Sequence, residues 1–104
     1  MKILLITTTV EQMEDAERIA ALLLEKRLVA CAQISAPITS IYRWRGEVTK
    51  ATEVVLSLKT LRRHYSEVEQ ILLQEHPYEI PEIISQEDFF ASESYGRWLE
   101  GEIA

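Results

Sequence analysis

The chain has 104 residues, 47% of them hydrophobic, and its 17 acidic against 11 basic side chains leave a net charge of −6. This is the length of one domain, taken as residues 1–104, and an acidic balance without a run of Lys or Arg argues against nucleic acid, whose phosphates are held by clustered cations. A lone cysteine, Cys31, rules out an intrachain disulfide and points to a reducing, cytoplasmic compartment, and no apolar stretch approaches the roughly 20 residues of a membrane span, so no membrane partner is expected.

Residues 3–8, Ile-Leu-Leu-Ile-Thr-Thr, form an apolar run suited to a strand buried on both faces. Thr9 and Gln12 have capping-box spacing, and Ala16, Ile19, Ala20, Leu23 and Leu24 recur at helical intervals, which predicts an amphipathic helix over 11–27. A second strand starts near 29–31 and runs past Pro37 to 44, with Pro37 marking a bend because it has no ladder donor. Arg45-Gly46-Glu47 is the turn, and Gly46 is the residue that takes positive φ at least cost. The third strand reaches Lys59 with Val54, Leu56 and Leu58 on one face.

Thr60 is expected to cap a second helix whose buried stripe is Leu61, Tyr65, Val68, Ile71 and Leu72. Pro77 ends that helix at His76 by disfavouring helical geometry in the residue before it. Ile80 to Glu87 reads as a fourth strand, and Ser92 or Ser94 opens a short last helix with Tyr95, Trp98 and Leu99. The order β-α-β-β-α-β plus a terminal helix predicts an α+β, ferredoxin-like split βαβ. Its central hairpin, 31–45 with 47–59, is long enough to overhang the rest, and an overhang exposing Tyr42 and Trp44 invites pairing with another subunit.

His76 is the first candidate for chemistry. At a helix C-terminus beside Glu75 and Glu79 it suits a charged cap, while as a neutral imidazole it is a ligand type for Cu²⁺ or Zn²⁺ with Glu75. Cys31, between alanines, reads as a small buried hydrophobe rather than a reactive thiol. Tyr42 and Trp44 share one strand face and Arg43 and Arg45 the other, a pattern that serves a subunit interface or a stacked ligand. If Glu82 points inward it needs a partner such as Arg43, Lys59 or Tyr78. No nucleophile triad, phosphate loop or HExxH is present, so the chain reads as a non-enzyme that requires no cofactor.

The segments ACAQI (30–34), SIYRWRGEV (40–48), LKT (58–60), HPYEIPEII (76–84) and YGRWL (95–99) resemble the CutA divalent-cation tolerance proteins, in the same order and over nearly the whole chain. The resemblance implies a cytoplasmic homotrimer that takes part in the response to metal ions, with weak Cu²⁺ binding at His76 and Glu75. It also implies a cleft between subunits with Lys59, Tyr78, Glu82 and Trp98 as candidate lining. Copper-binding members place a cysteine after the first strand and a second histidine before HPY; here those positions hold Thr8 and Glu75. A small-molecule sensing trimer similar to PII-type regulators is the alternative that this architecture implies.

Overall fold

In the computed structural model, which describes residues 1–104, the first strand β1 spans Lys2–Val10. Its even-numbered residues Leu4, Ile6, Thr8 and Val10 lie on one buried face, as a period of two requires. Helix α1 covers Met13–Glu25 and turns Ala16, Ile19, Ala20 and Leu23 inward. The capping box is not formed: Gln12 is the N-cap, without a side-chain cap bond, because Thr9 is still part of β1.

The stop of α1 carries no glycine. Arg27 takes φ +56°, Leu28 N–H reaches the Leu23 carbonyl and Arg27 N–H the Leu24 carbonyl, the bonding pattern of a Schellman ending. The arginine at this left-handed position also fastens the far end of the chain, donating to the Glu102 and Gly101 carbonyls at 3.0 and 3.1 Å.

Pro37 divides the predicted second strand in two, β2 (Cys31–Ile34) and β3 (Ile38–Trp44). Both pair with the 14-residue β4 (Glu47–Thr60), β2 along 56–59 and β3 along 47–53. Arg45 (φ +50°) and Gly46 (φ +82°) make the two-residue turn between β3 and β4, the pair of positive φ values that matches strand twist in tight hairpins. Thr60 is the last residue of β4 rather than a helix cap, and its hydroxyl donates to the Leu28 carbonyl at 2.7 Å. A 3₁₀ turn at Arg62–His64 leads into α2 (Tyr65–Glu75), and β5 (Ile84–Phe90) and α3 (Glu93–Glu102) complete the chain. Ser92 caps α3 by accepting from Tyr95 N–H.

The sheet order is β2-β4-β1-β5, antiparallel throughout, with β3 on the overhanging half of β4. With two crossovers this is the ferredoxin-like split βαβ. One face of the sheet packs against α1 and α2 through Leu4, Ile6, Ile19, Leu23, Leu56, Leu58, Val68 and Leu72. Ile3, of opposite parity, packs with Leu99 and Ile103 from α3 and the residues after it. The overhang stretches the molecule to 45 × 24 × 24 Å, and its radius of gyration of 14.3 Å exceeds the roughly 13 Å of a compact chain this long. No helix is long and apolar enough to cross a membrane.

Candidate functional site: a cleft at the foot of the hairpin

Pro77 keeps the residue before it out of helical geometry. His76 accordingly has φ −72° and ψ 135°, while its N–H still donates to the Leu72 carbonyl. The imidazole lies against β1, where Nε2–H donates to the Thr9 carbonyl at 2.9 Å and Nδ1 accepts the Tyr78 N–H at 3.1 Å. A carbonyl can only accept and an amide N–H can only donate, so this pair of bonds selects the neutral Nε2–H tautomer. Burial moves the His76 pKa below its ordinary value, outweighing the upward pulls of the Thr9 carbonyl, Asp15 and Glu53.

Two residues on, the Tyr78 hydroxyl donates to Glu53 Oε2 at 2.7 Å, and its ring meets the His76 ring edge-on with centroids 4.7 Å apart. Burial, then the hydrogen bond and charge of Glu53, push the Tyr78 pKa well above the ordinary phenol range, so this hydroxyl stays a donor. Glu53 stands where β4 leaves the helix-covered body, and it is only 6% exposed. Residues 76–78 therefore form a clip that ties the exit of α2 to the end of β1 and the middle of β4.

Beside the clip lies a cleft of about 500 Å³. Thr9 and Glu53 line it from β1 and β4, Ser40, Ile41, Tyr42 and Trp44 from β3, and Tyr78, Ile80, Pro81 and Glu82 from the loop after α2. A lobe of about 220 Å³ continues among Tyr42, Trp44, Tyr78, Glu79 and Ile80. The Arg45 guanidinium lies 5.3 Å from the Trp44 ring centroid and pairs with Glu79 at 3.0 Å.

Of the residues expected in a cleft, Tyr78 and Glu82 meet here, with Tyr42 and Trp44 beside them on the shared strand face the alternation predicts. Lys59 and Trp98 do not join them within the chain. Lys59 is six residues further along β4 than Glu53, roughly 20 Å at strand rise. Its ammonium lies 5.7 Å from the Tyr95 ring centroid, and Trp98 packs on that same ring at 5.4 Å. Within one chain the four residues therefore lie at two places, while the cleft implied by the resemblance lies between subunits. Glu82 does not point into the core; it is exposed and needs no buried partner.

The two groups expected as metal ligands, His76 and Glu75, both have partners within the chain. Both imidazole nitrogens are used within the chain, and the Glu75 carboxylate pairs with Arg18 at 2.7 Å. No group of three or more His, Cys, Asp and Glu side chains in the chain is arranged to hold a metal ion. A cation on His76 would have to open the clip first. Cys31 is half-buried in β2 opposite Lys59. Glu53 is the site residue that sequence reasoning missed: it is polar at the start of an apolar alternation, and its burial depends on Tyr78, 25 residues away.

Comparison with known proteins places this geometry in a family. The model of the CutA1 divalent ion tolerance protein family matches residues 4–102. The divalent-cation tolerance protein CutA of Thermus thermophilus is 38% identical over 91 residues, covering 88% of each chain. The CutA1 structure from Ehrlichia chaffeensis superposes with a TM-score of 0.92 at 36% identity, covering 98% of this chain and 95% of that one. A CutA structure from Archaeoglobus fulgidus, described as periplasmic, gives 0.93 at 32% identity, covering 98% and 99%. The chain belongs to the CutA1 divalent ion tolerance family.

Proposed function

We propose that this protein is a cytoplasmic, non-catalytic homotrimer of the divalent-cation response, whose contact with Cu²⁺ and similar ions is weak and made through carboxylates rather than a histidine-centred site. The observation that carries the assembly is the hairpin. Along 47–53, β4 has β3 on one side and no strand on the other, and β3 and β5 each have one open edge. Ile41 (62% exposed), Val48 (66%) and Phe90 (78%) stand bare on these strands. Such edges are aggregation sites unless covered, and copies of the chain cover them in a closed assembly. The count of three comes from the family resemblance. Sedimentation should give about 36 kDa, three times the 12.0 kDa chain; a 12.0 kDa species at micromolar concentration would overturn this part of the reading.

Weak metal contact follows from the donors that remain. With His76 engaged, the remaining donors are exposed carboxylates of a chain with net charge −6 and the single half-buried thiol of Cys31, and isolated ligands of this kind hold Cu²⁺ poorly. Titration calorimetry with Cu²⁺ should give the same weak affinity for wild type and His76→Gln. A loss of affinity on substitution would restore His76 as a ligand.

A non-catalytic role is supported by the pairing of three groups that could move protons, Glu79 with Arg45, Tyr78 with Glu53 and His76 with two backbone groups, which leaves Glu82 as an exposed carboxylate with no acid partner. The cytoplasmic assignment is supported by the free thiol of Cys31. Cell fractionation tests it, with recovery in a periplasmic or secreted fraction as the contrary result. The relatives carry CutA names and none carries a PII name, which gives the PII-type sensor no support as a family assignment.

A further inference from the structure

The cleft at the foot of the hairpin has an electrostatic imbalance that the family reading does not use. Glu53 is 6% exposed, yet no Lys, Arg or amino terminus lies within ion-pair distance of it. Its one hydrogen bond in the chain is from the neutral Tyr78 hydroxyl to Oε2, and Oε1 receives none. The unbonded oxygen is open to the cleft, and a carboxylate of such low overall exposure offers a site for a cation entering from that side. No residue lining the cleft carries positive charge, a second carboxylate, Glu82, lines the same space, and Arg45 at the rim is already bound to Glu79.

The remaining lining decides the kind of cation. Tyr42, Trp44 and Tyr78 present aromatic surface to the cleft, and Arg45 over Trp44 shows that this ring accepts a positive group. A hard metal ion wants six or more oxygens, whereas here there are two carboxylates and no ligand cluster. The space of about 500 Å³ is that of a small-molecule site, far more than a bare ion fills. We infer that the cleft binds a compact organic cation, an alkylammonium or guanidinium compound, with its charged nitrogen on Glu53, its carbon body against Tyr42, Trp44 and Tyr78, and Glu82 as a further anion on the same cleft. The cleft borders the hairpin face assigned to the trimer, since Ile41 belongs to both, and ligand binding is measured independently of mass and of copper affinity.

The chain has two tryptophans, and Trp98 is exposed at the other end of the sheet, so the full-length Trp98→Phe protein reports on Trp44 alone. In that background n-butylammonium chloride should change Trp44 emission along a saturable curve, while n-butanol, sodium chloride and magnesium chloride should not. Glu53→Gln should weaken binding by roughly tenfold or more, the scale of one charge-assisted hydrogen bond. Glu82→Gln, at an exposed position that leaves the fold intact, should weaken it by a smaller factor and keeps the test decisive if Glu53→Gln fails to fold. A response shared by butanol or magnesium overturns the inference. So does the absence of a saturable response, as when a second copy's side chain fills the cleft, or an affinity unchanged in the folded variants.

Discussion

Strand β4 belongs to two different environments along one continuous run of backbone. Glu53 is buried, and from Val54 to Thr60 the side chains alternate between buried and half-buried, with Val54, Leu56, Leu58 and Thr60 against the helices; from Glu47 to Thr52 every residue is exposed or half-exposed. The backbone ladder to β3 continues through the bare half without interruption. What differs is that the half from Val54 also pairs with β1 on its other side and is covered by helices, whereas the half up to Glu53 has β3 as its one neighbouring strand. The covered half determines whether the chain folds, and the bare half presents the surface on which copies of the chain can meet.

The largest expected effect lies in the covered half. Leu58→Ala removes a side chain with no exposure from the center of the main cluster, which should cost about 2–5 kcal/mol in denaturant unfolding at fixed protein concentration. A loss no greater than that of a surface substitution would mean the two halves are not energetically distinct. In the bare half, Ile41→Glu with Val48→Glu places each new carboxylate opposite Lys50 and Arg43, so the hairpin itself is not penalized. That double variant should keep its far-ultraviolet dichroism and sediment near 12.0 kDa instead of as an assembly. Unchanged mass would show that the bare half is not an interface.

The junction between the halves should report itself through pH. Because the folded His76 pKa lies below the unfolded value of about 6.5, its contribution is fully present above that value and declines as pH falls below 6.5 toward the folded pKa. Wild type should thus lose more stability than His76→Gln between pH 7 and 5. Equal slopes would remove His76 from the junction. The smallest effect is expected at Thr8, a fully buried hydroxyl with no partner in the chain. Thr8→Val keeps the shape and removes the unpaired group, which should stabilize by about 1 kcal/mol in the same unfolding assay. Destabilization would show that the hydroxyl is satisfied in solution.

Much of the fold was legible in the sequence because its elements obey one period each. The strand runs 3–8 and 54–58 and the stripe Val68-Ile71-Leu72 fall where the structure has β1, β4 and α2. The fourth strand differs: composition predicts Ile80 to Glu87, and β5 is Ile84–Phe90. Residues 77–83 look like strand by composition, but the clip holds the start of this segment through the side chains of His76 and Tyr78 rather than through a ladder. At its other end β5 continues past Asp88 at φ +62° and a register shift opposite Ile3 and Leu5, neither of which alternation can signal. Both Thr9 and Thr60 looked like caps because threonine favours that position, and sheet pairing took precedence for each.

The site divides in the same way. Tyr42 and Trp44 were readable because same-strand geometry puts them on one face, and Tyr78 came with the motif. The burial of Glu53, the destination of the His76 ring and the separation of Lys59 from Tyr78 all depend on contacts between distant segments. A histidine beside glutamates looks like a ligand until the position of Thr9, 67 residues earlier, is known.

That 67-residue span also bears on the order in which the molecule folds. The β3–β4 hairpin closes a two-residue turn and can form early, whereas the His76 contact closes a loop of most of the chain, with an entropy cost that only prior formation of β1 and α2 offsets. Thr9 is in the first βαβ half, Glu53 in the strand between the helices and Tyr78 after the second helix. A fragment ending before residue 76 can therefore retain a paired hairpin without the cleft, and in refolding the cleft should be among the last features to appear.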